Sequence, residues 1–320
     1  MTEVKFIQSN LEKWSGMEQI CAQASIAAPE ELADAYQELC ADLAFAQTHY
    51  PEARITTYLN DLTLALHVQV YRRRVSFWQK AKEFFVHEVP ITFYRCRFYL
   101  AASLAIFVIG MLIGIGSQIG DPEFARDILG DWYVEMTLHN IQQGAPMAVY
   151  KSSLESDMFL GITMNNLGVS LITFVGGVLT FFGTGAYLVY NAVMVGCFQT
   201  FFFQYSVGYE SVLAIWLHGT IEISTIILAG ASGIRLGIGW LFPGSLTRKA
   251  AFRRAAKEGL KMCLGSAPLV TLAAFIEAFF TRHTEWPDLL RIAVIVLSLV
   301  LVIFYVVVYP RKVAKKAALR

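Results

Sequence analysis

Residues 158–209 read MFLGITMNNLGVSLITFVGGVLTFFGTGAYLVYNAVMVGCFQTFFFQYSVGY, 52 positions without one Lys, Arg, Asp, Glu or His. A helix needs about 20 apolar residues to cross the hydrocarbon layer, so this run is long enough for two crossings. Gly183-Thr184-Gly185 offers the turn between them. The next apolar stretch places His218 and Glu222 four residues apart. Ionisable groups at that depth are costly and usually face a cavity or a partner. The run thus sets the class: an all-α, polytopic helical membrane protein.

Working outward, composition agrees. Hydrophobic residues make up 56% and charged residues 16%, both displaced from soluble averages. A net charge of +1 gives no basic field for nucleic acid. The first 40 residues are polar and carry no apolar signal-peptide core. Cys21, Cys40, Cys96, Cys197 and Cys263 lack CxxC spacing and read as small apolar fillers.

Six crossings are expected, at about 98–118, 158–182, 186–206, 210–236, 262–281 and 289–309. A four-crossing arrangement with re-entrant segments is the alternative. Loop charge orients the bundle. Residues 120–157 hold Asp121, Glu123, Asp127, Asp131, Glu135, Glu155 and Asp157 against Arg126 and Lys151, which places this loop outside. Residues 245–261 carry Arg248, Lys249, Arg253, Arg254, Lys257 and Lys261, a loop expected inside. The collar Arg72-Arg73-Arg74, Lys80, Lys82, Arg95 and Arg97 and the tail 311–320 (Arg311, Lys312, Lys315, Lys316, Arg320) point the same way. Both termini are then cytoplasmic in a multi-pass protein of a bacterial inner membrane.

The expected organisation is a cytoplasmic helical region at 1–95, a transmembrane bundle at 96–310 and a basic tail at 311–320. Pro29-Glu30-Glu31 suits a helix first turn. Leu32, Ala35, Tyr36, Leu39, Leu43 and Phe45 give one apolar stripe. After Pro51, Ile55, Tyr58, Leu59, Leu62, Leu66 and Val70 give a second. Region 1–95 can meet a cytoplasmic partner. In the loop 120–157, Phe124, Ile128, Leu129, Trp132, Tyr133 and Met136 among acids suit an amphipathic helix. That helix can lie at the membrane interface, cap the bundle or dock a partner.

Within the fourth crossing, His218 and Glu222 share a face that continues through Thr225, Ala229 and Gly233, a polar-to-small seam. At 1.5 Å per residue, Asn165 and Asn166 lie roughly 10–12 Å below the outer end of their crossing, His218 roughly 12 Å and Glu277 roughly 6 Å. These groups can therefore meet in the outer half of the membrane. Asn191 approaches from the inner half, and Pro268 is expected to bend the fifth helix. The intramembrane polar cluster is thus His218, Glu222, Glu277, Asn165, Asn166 and Asn191. Three readings stand open: hydrogen bonding that fixes helix packing, proton or ion passage, and a divalent metal held by His218, Glu222 and Glu277. H-x3-E is not H-E-x-x-H, and no nucleotide-binding or Ser/His/Asp pattern is present, so no catalytic residue is assigned. The glycines of the crossings suit close helix packing and would permit a homodimer.

Together, Asn165-Asn166-Leu167-Gly168, Gly176-Gly177, Gly183, Tyr190-Asn191, Gly196, His218-Gly219-Thr220-Ile221-Glu222, Ala229 to Gly233 and Pro268 to Glu277 resemble the membrane core of the stage II sporulation protein M family. Phe6 to Trp14, Tyr36 to Leu39, Ala41 to Ala44, Tyr58 to Leu62 and His67 to Arg74 resemble the N-terminal region of its longer, non-sporulation branch. The resemblance implies a non-enzymatic membrane scaffold whose loop 120–157 meets envelope or peptidoglycan-remodelling proteins. The alternative is a transporter, channel or intramembrane metal-dependent enzyme working through the His/Glu/Asn cluster.

Overall fold

A computed structural model describes residues 1–23, 28–71, 76–148, 155–281, 283 and 285–318. Arg72-Arg73-Arg74, Lys151 and Arg320 lie outside the described residues. Among those described, the regular structure is helical throughout. The chain forms two units, Met1–Gln79 and Lys80–Arg320.

The first unit holds α1 (Glu3–Ala22), α2 (Pro29–His49) and α3 (Arg54–Val70). Pro29 opens α2, where its missing N–H costs no hydrogen bond. α3 starts at Arg54, not Pro51, because 50–53 form a turn in which the Tyr50 carbonyl accepts the Thr56 hydroxyl at 2.7 Å. The apolar stripes converge on a core of Phe6, Trp14, Leu39, Leu59 and Leu66. Burying each such side chain contributes about 1.5–3 kcal/mol. Trp14 is fully buried, and its indole N–H donates to Asp42 at 2.8 Å, so the one polar atom of the ring is satisfied.

The division falls within α4 (Phe77–Glu83), and the second unit continues with a π-turn at Phe84–Glu88 and α5 (Val89–Arg95). α6 (Arg97–Gly120) is followed by short α7 (Phe124–Leu129) and α8 (Asp131–Gln142). Then come α9 (Glu155–Val175), a 3-10 turn at Gly176–Leu179, α10 (Thr180–Gln204), α11 (Gly208–Leu241) and α12 (Arg248–Phe279). α13 (Asp288–Ile303) continues through a π-turn at Phe304–Val308 into α14 (Tyr309–Ala318). Each π-turn ends two residues before a proline, Pro90 or Pro310. Pro90 has no N–H to offer the Val86 carbonyl, and the Tyr309 hydroxyl donates to that carbonyl at 3.0 Å.

Five helical stretches are long and apolar enough to cross a membrane. The second, Ser156–Gln204, spans 49 residues, about 74 Å if straight and more than twice the hydrocarbon thickness. It is instead folded back on itself. The Thr184 hydroxyl donates to the Thr173 carbonyl at 2.9 Å, eleven residues away. The reversal places Thr180 at φ 66°, uncommon for a β-branched residue. α9 and α10, of 21 and 25 residues, therefore each have the length of a crossing.

α11 is the central helix, packed by α6, α9, α10, α12 and α13. Ile221, Ile226 and Leu228 are all buried, as a helix apolar around its circumference requires. Its close approach to the hairpin turn depends on Gly177 and Gly233. A Cβ on Gly233 would stand 2.6 Å from the Thr173 carbonyl oxygen, and one on Gly177 would stand 2.9 Å from the Gly233 carbonyl carbon. The basic segment 248–261, expected as a loop, is the first half of α12. Thr247 caps it, its hydroxyl accepting the Ala250 N–H at 3.3 Å, and Ala, Arg and Lys are good helix formers.

α7 and α8, separated by Gly130 at φ 87°, cap the acidic end of the bundle. Ala125, Val134 and Met147 share a core with Cys197, Phe201, Phe202 and Ala214. Arg126 ties the two helices by pairing with Glu123, Asp131 and Glu135 at 2.9, 3.3 and 2.8 Å. Trp132 stays outside this core and is 76% exposed.

Candidate functional site

The hairpin sets the site. α9 packs on α11 and α12, and α10 packs on α6 and α11, while the two meet at the turn. Between them, against α11 and beneath α7 and α8, lies a cavity of about 610 Å³. Its polar lining joins Asn165 and Asn166 of α9, Asn191 and Gln199 of α10, His218 and Glu222 of α11, and Glu277 of α12. All six residues of the intramembrane cluster expected from the sequence line this one space, Asn191 included. Pro268 lies inside a continuous α12, and Glu277 is that helix's contribution to the lining among the described residues.

Three of the groups converge. His218 Nε2 lies 3.9 Å from Glu222 Oε2 and 3.8 Å from Glu277 Oε2. One ligating atom from each of the three fits within 4.8 Å of the others. His218 is 4% exposed. The cause is local: i and i+4 on α11 stack His218 over Glu222, and the α11–α12 contact brings Glu277 from the facing helix.

The far side of the imidazole is held by Thr281, just beyond α12. Its Oγ1 donates to the Ile276 carbonyl at 3.4 Å and lies 3.0 Å from His218 Nδ1. The hydroxyl holds Nδ1, and the Nε2 edge of the ring faces the two carboxylates. The ring and its hydroxyl partner form the outer-shell arrangement that orients metal-binding histidines. A zinc tetrahedron has a ligand–ligand edge of about 3.3 Å, so the His218–carboxylate separations of 3.9 and 3.8 Å need shorten by only about half an ångström to close on such an ion. Carboxylates and imidazole together suit zinc, iron or manganese.

The asparagines are less settled. Asn165 Nδ2 donates to Asn166 Oδ1 at 3.3 Å, and Asn191 Nδ2 donates to its own helix at the Tyr187 carbonyl, 2.8 Å away. The Asn166 amide is buried and adjoins the Glu222 carboxylate.

Sequence reasoning passed over three elements. Thr281 carried no signal except its position one turn past Glu277. Gln199 and Trp216 join in a chain, with the Trp216 indole N–H donating to Gln199 Oε1 at 3.0 Å and Gln199 Nε2 donating to Ser211 at 2.7 Å. At the basic end of the same helix pair, Arg235 of α11 meets Glu258 of α12 through Nε at 2.7 Å and a terminal nitrogen at 2.6 Å. Glu258 could have been noticed as the one acid among six basic residues of 245–261.

The family model described as stage II sporulation protein M matches residues 103–282, which contain α9 to α12 and every cavity residue. A second model, described as a domain of unknown function (DUF8413), matches residues 4–72. No curated protein and no solved structure matches the chain.

Proposed function

Since the chain belongs to the stage II sporulation protein M family, we propose that its membrane core serves as a divalent-metal site, held by His218, Glu222 and Glu277 within the intramembrane cavity. The observation that carries this reading is the fit of three ligating atoms within 4.8 Å at the wall of a cavity large enough for a further molecule. A metal there would supply a Lewis acid able to polarise an oxygen of whatever enters. The protein's own part is to orient His218 through Thr281 and to keep the site inside the membrane. This favours the transporter or metal-dependent branch of the sequence reading over packing alone, because a purely structural cluster would leave little room beside it.

The test is metal content by mass spectrometry in protein purified from metal-supplemented cells, for wild type, His218→Ala and Glu277→Gln. About one transition-metal ion per chain in wild type, lost in both variants, supports the site. Wild-type protein that folds and carries no metal ends the reading.

The scaffold reading has its own support at the acidic end, where Trp132 and the exposed acids Asp131 and Glu135 form a surface suited to a basic envelope partner. By the positive-inside bias, this end faces away from the cytoplasm of a bacterial inner membrane, and α12's basic half and both termini lie on the cytoplasmic side. Co-purification of the same envelope protein with wild type, and its loss with Trp132→Ala, would establish that role.

A further inference from the structure

The cavity has a side as well as a floor. α9 and α10 meet at their turn and pack on different neighbours, and the cavity lies between them. Tyr190, 57% exposed, and Asn165, also exposed, stand at that gap among apolar residues such as Met164 and Val189. A phenol at membrane depth is served by a polar partner, and lipid tails offer none. Inside, the walls are mixed: Val195, Phe198, Ile223 and Ile226 are apolar, while Asn166, Asn191 and Gln199 are amides. The volume, about 610 Å³, lies within the range of small-molecule sites.

Charge narrows the occupant. The described lining residues include no Lys or Arg. The two carboxylates, a neutral imidazole and a divalent ion sum to zero. An anionic head would bring charge into this space with no basic side chain to balance it. Neutral oxygens are better matched, because the amides of the lining can donate to them.

We infer that the cavity takes a neutral amphiphile, an acyl-chain lipid whose head carries ester, amide or hydroxyl oxygens but no net charge, entering sideways from the bilayer between α9 and α10. The head sits on Asn166 and the metal centre, and the chain lies along the apolar walls toward the gap. In assigning the head to the metal, the inference rests on the metal reading above; the lateral entry and the neutral head rest on the cavity itself.

The experiment is photo-crosslinking of full-length protein in phosphatidylcholine vesicles doped with a photoactivatable diacylglycerol, in parallel with the phosphatidic acid bearing the same chain. The blocking variant is Gly219→Leu. Gly219 lines the cavity, and a Cβ there would meet a single neighbour, Ile215 Cγ2 at 3.7 Å, so the added side chain projects into open space. Diacylglycerol is expected to label the cavity faces of α9 and α10. Gly219→Leu should cut that labelling at least about tenfold with metal content unchanged. Asn166→Leu, which removes the donor and keeps the volume, should cut it by about tenfold as well. Labelling that survives both variants overturns the proposal, as does phosphatidic acid labelling the same residues equally well. Chelator-stripped wild type separates the two readings. Label that moves or falls on stripping supports the placement of the head on the metal. Unchanged label overturns that placement and leaves the lateral entry of a neutral lipid supported by the Gly219→Leu loss.

Discussion

α11 and α12 carry two sets of buried charge, one toward each end, and the sets are built differently. At the basic end, Arg235 and Glu258 close on each other at 2.6–2.7 Å, with Arg254 adding a longer contact of 3.3 Å from the surface. The guanidinium meets one carboxylate oxygen through two nitrogens, and its face lies over Tyr99, 5.6 Å from the ring centroid. At the acidic end, His218 Nε2 lies 3.8–3.9 Å from Glu277 and Glu222, and the three groups border a cavity. The first pair is self-satisfying and acts as a latch between helices. The second is more open and faces a cavity. The same helix pair thus separates the task of staying together from the task of binding.

Substitutions can break this contrast, beginning with the latch. Arg235→Met leaves Glu258 buried without its main partner and should destabilise the protein by about 3 kcal/mol in detergent unfolding. The double change Arg235→Met, Glu258→Leu should restore most of that loss; if it does not, the latch is more than an ion pair. At the other end, zinc at a hundred times its dissociation constant should stabilise wild type by about 2.7 kcal/mol and leave His218→Ala unmoved. A similar gain in His218→Ala would mean the ion binds elsewhere. Thr281→Val should weaken metal binding by about tenfold or more through the freed imidazole. Its metal-free unfolding should shift by only about 1 kcal/mol, the value of one hydrogen bond. Arg254→Ala should change stability by less than about 0.5 kcal/mol, because that side chain is 65% exposed and its pairing is screened. A larger loss would show the latch to be a three-member network.

Much of the fold is legible in the chain because the bilayer is a demanding solvent. The charge-free run 158–209 had to be helical, and its length required a reversal. The reversal came at Gly176–Leu179 and Thr180, ahead of the expected Gly183-Thr184-Gly185, because Gly183 and Thr184 are used to pack α10 against α9 near Gly176 and Thr173. The site was partly legible. Rise per residue sets the depth of Asn166, His218 and Glu277 from sequence alone, but depth is one coordinate of three. The rotation of each helix about its axis comes from packing against neighbours. That is why Thr281, Gln199 and the Arg235–Glu258 pair could not be read.

By itself the sequence determined what the solvent enforces: a membrane class, apolar helices of crossing length, an acidic and a basic end, and a helical face carrying His218 and Glu222. These follow from local composition and helix periodicity, which need no partner. The tertiary structure alone decided that α9 and α10 splay around α11, that Glu277 turns toward His218, and that a cavity remains between them. Those outcomes depend on side-chain volumes from separate helices meeting at one place, such as the closeness of Gly177 to Gly233, and no single segment contains that information.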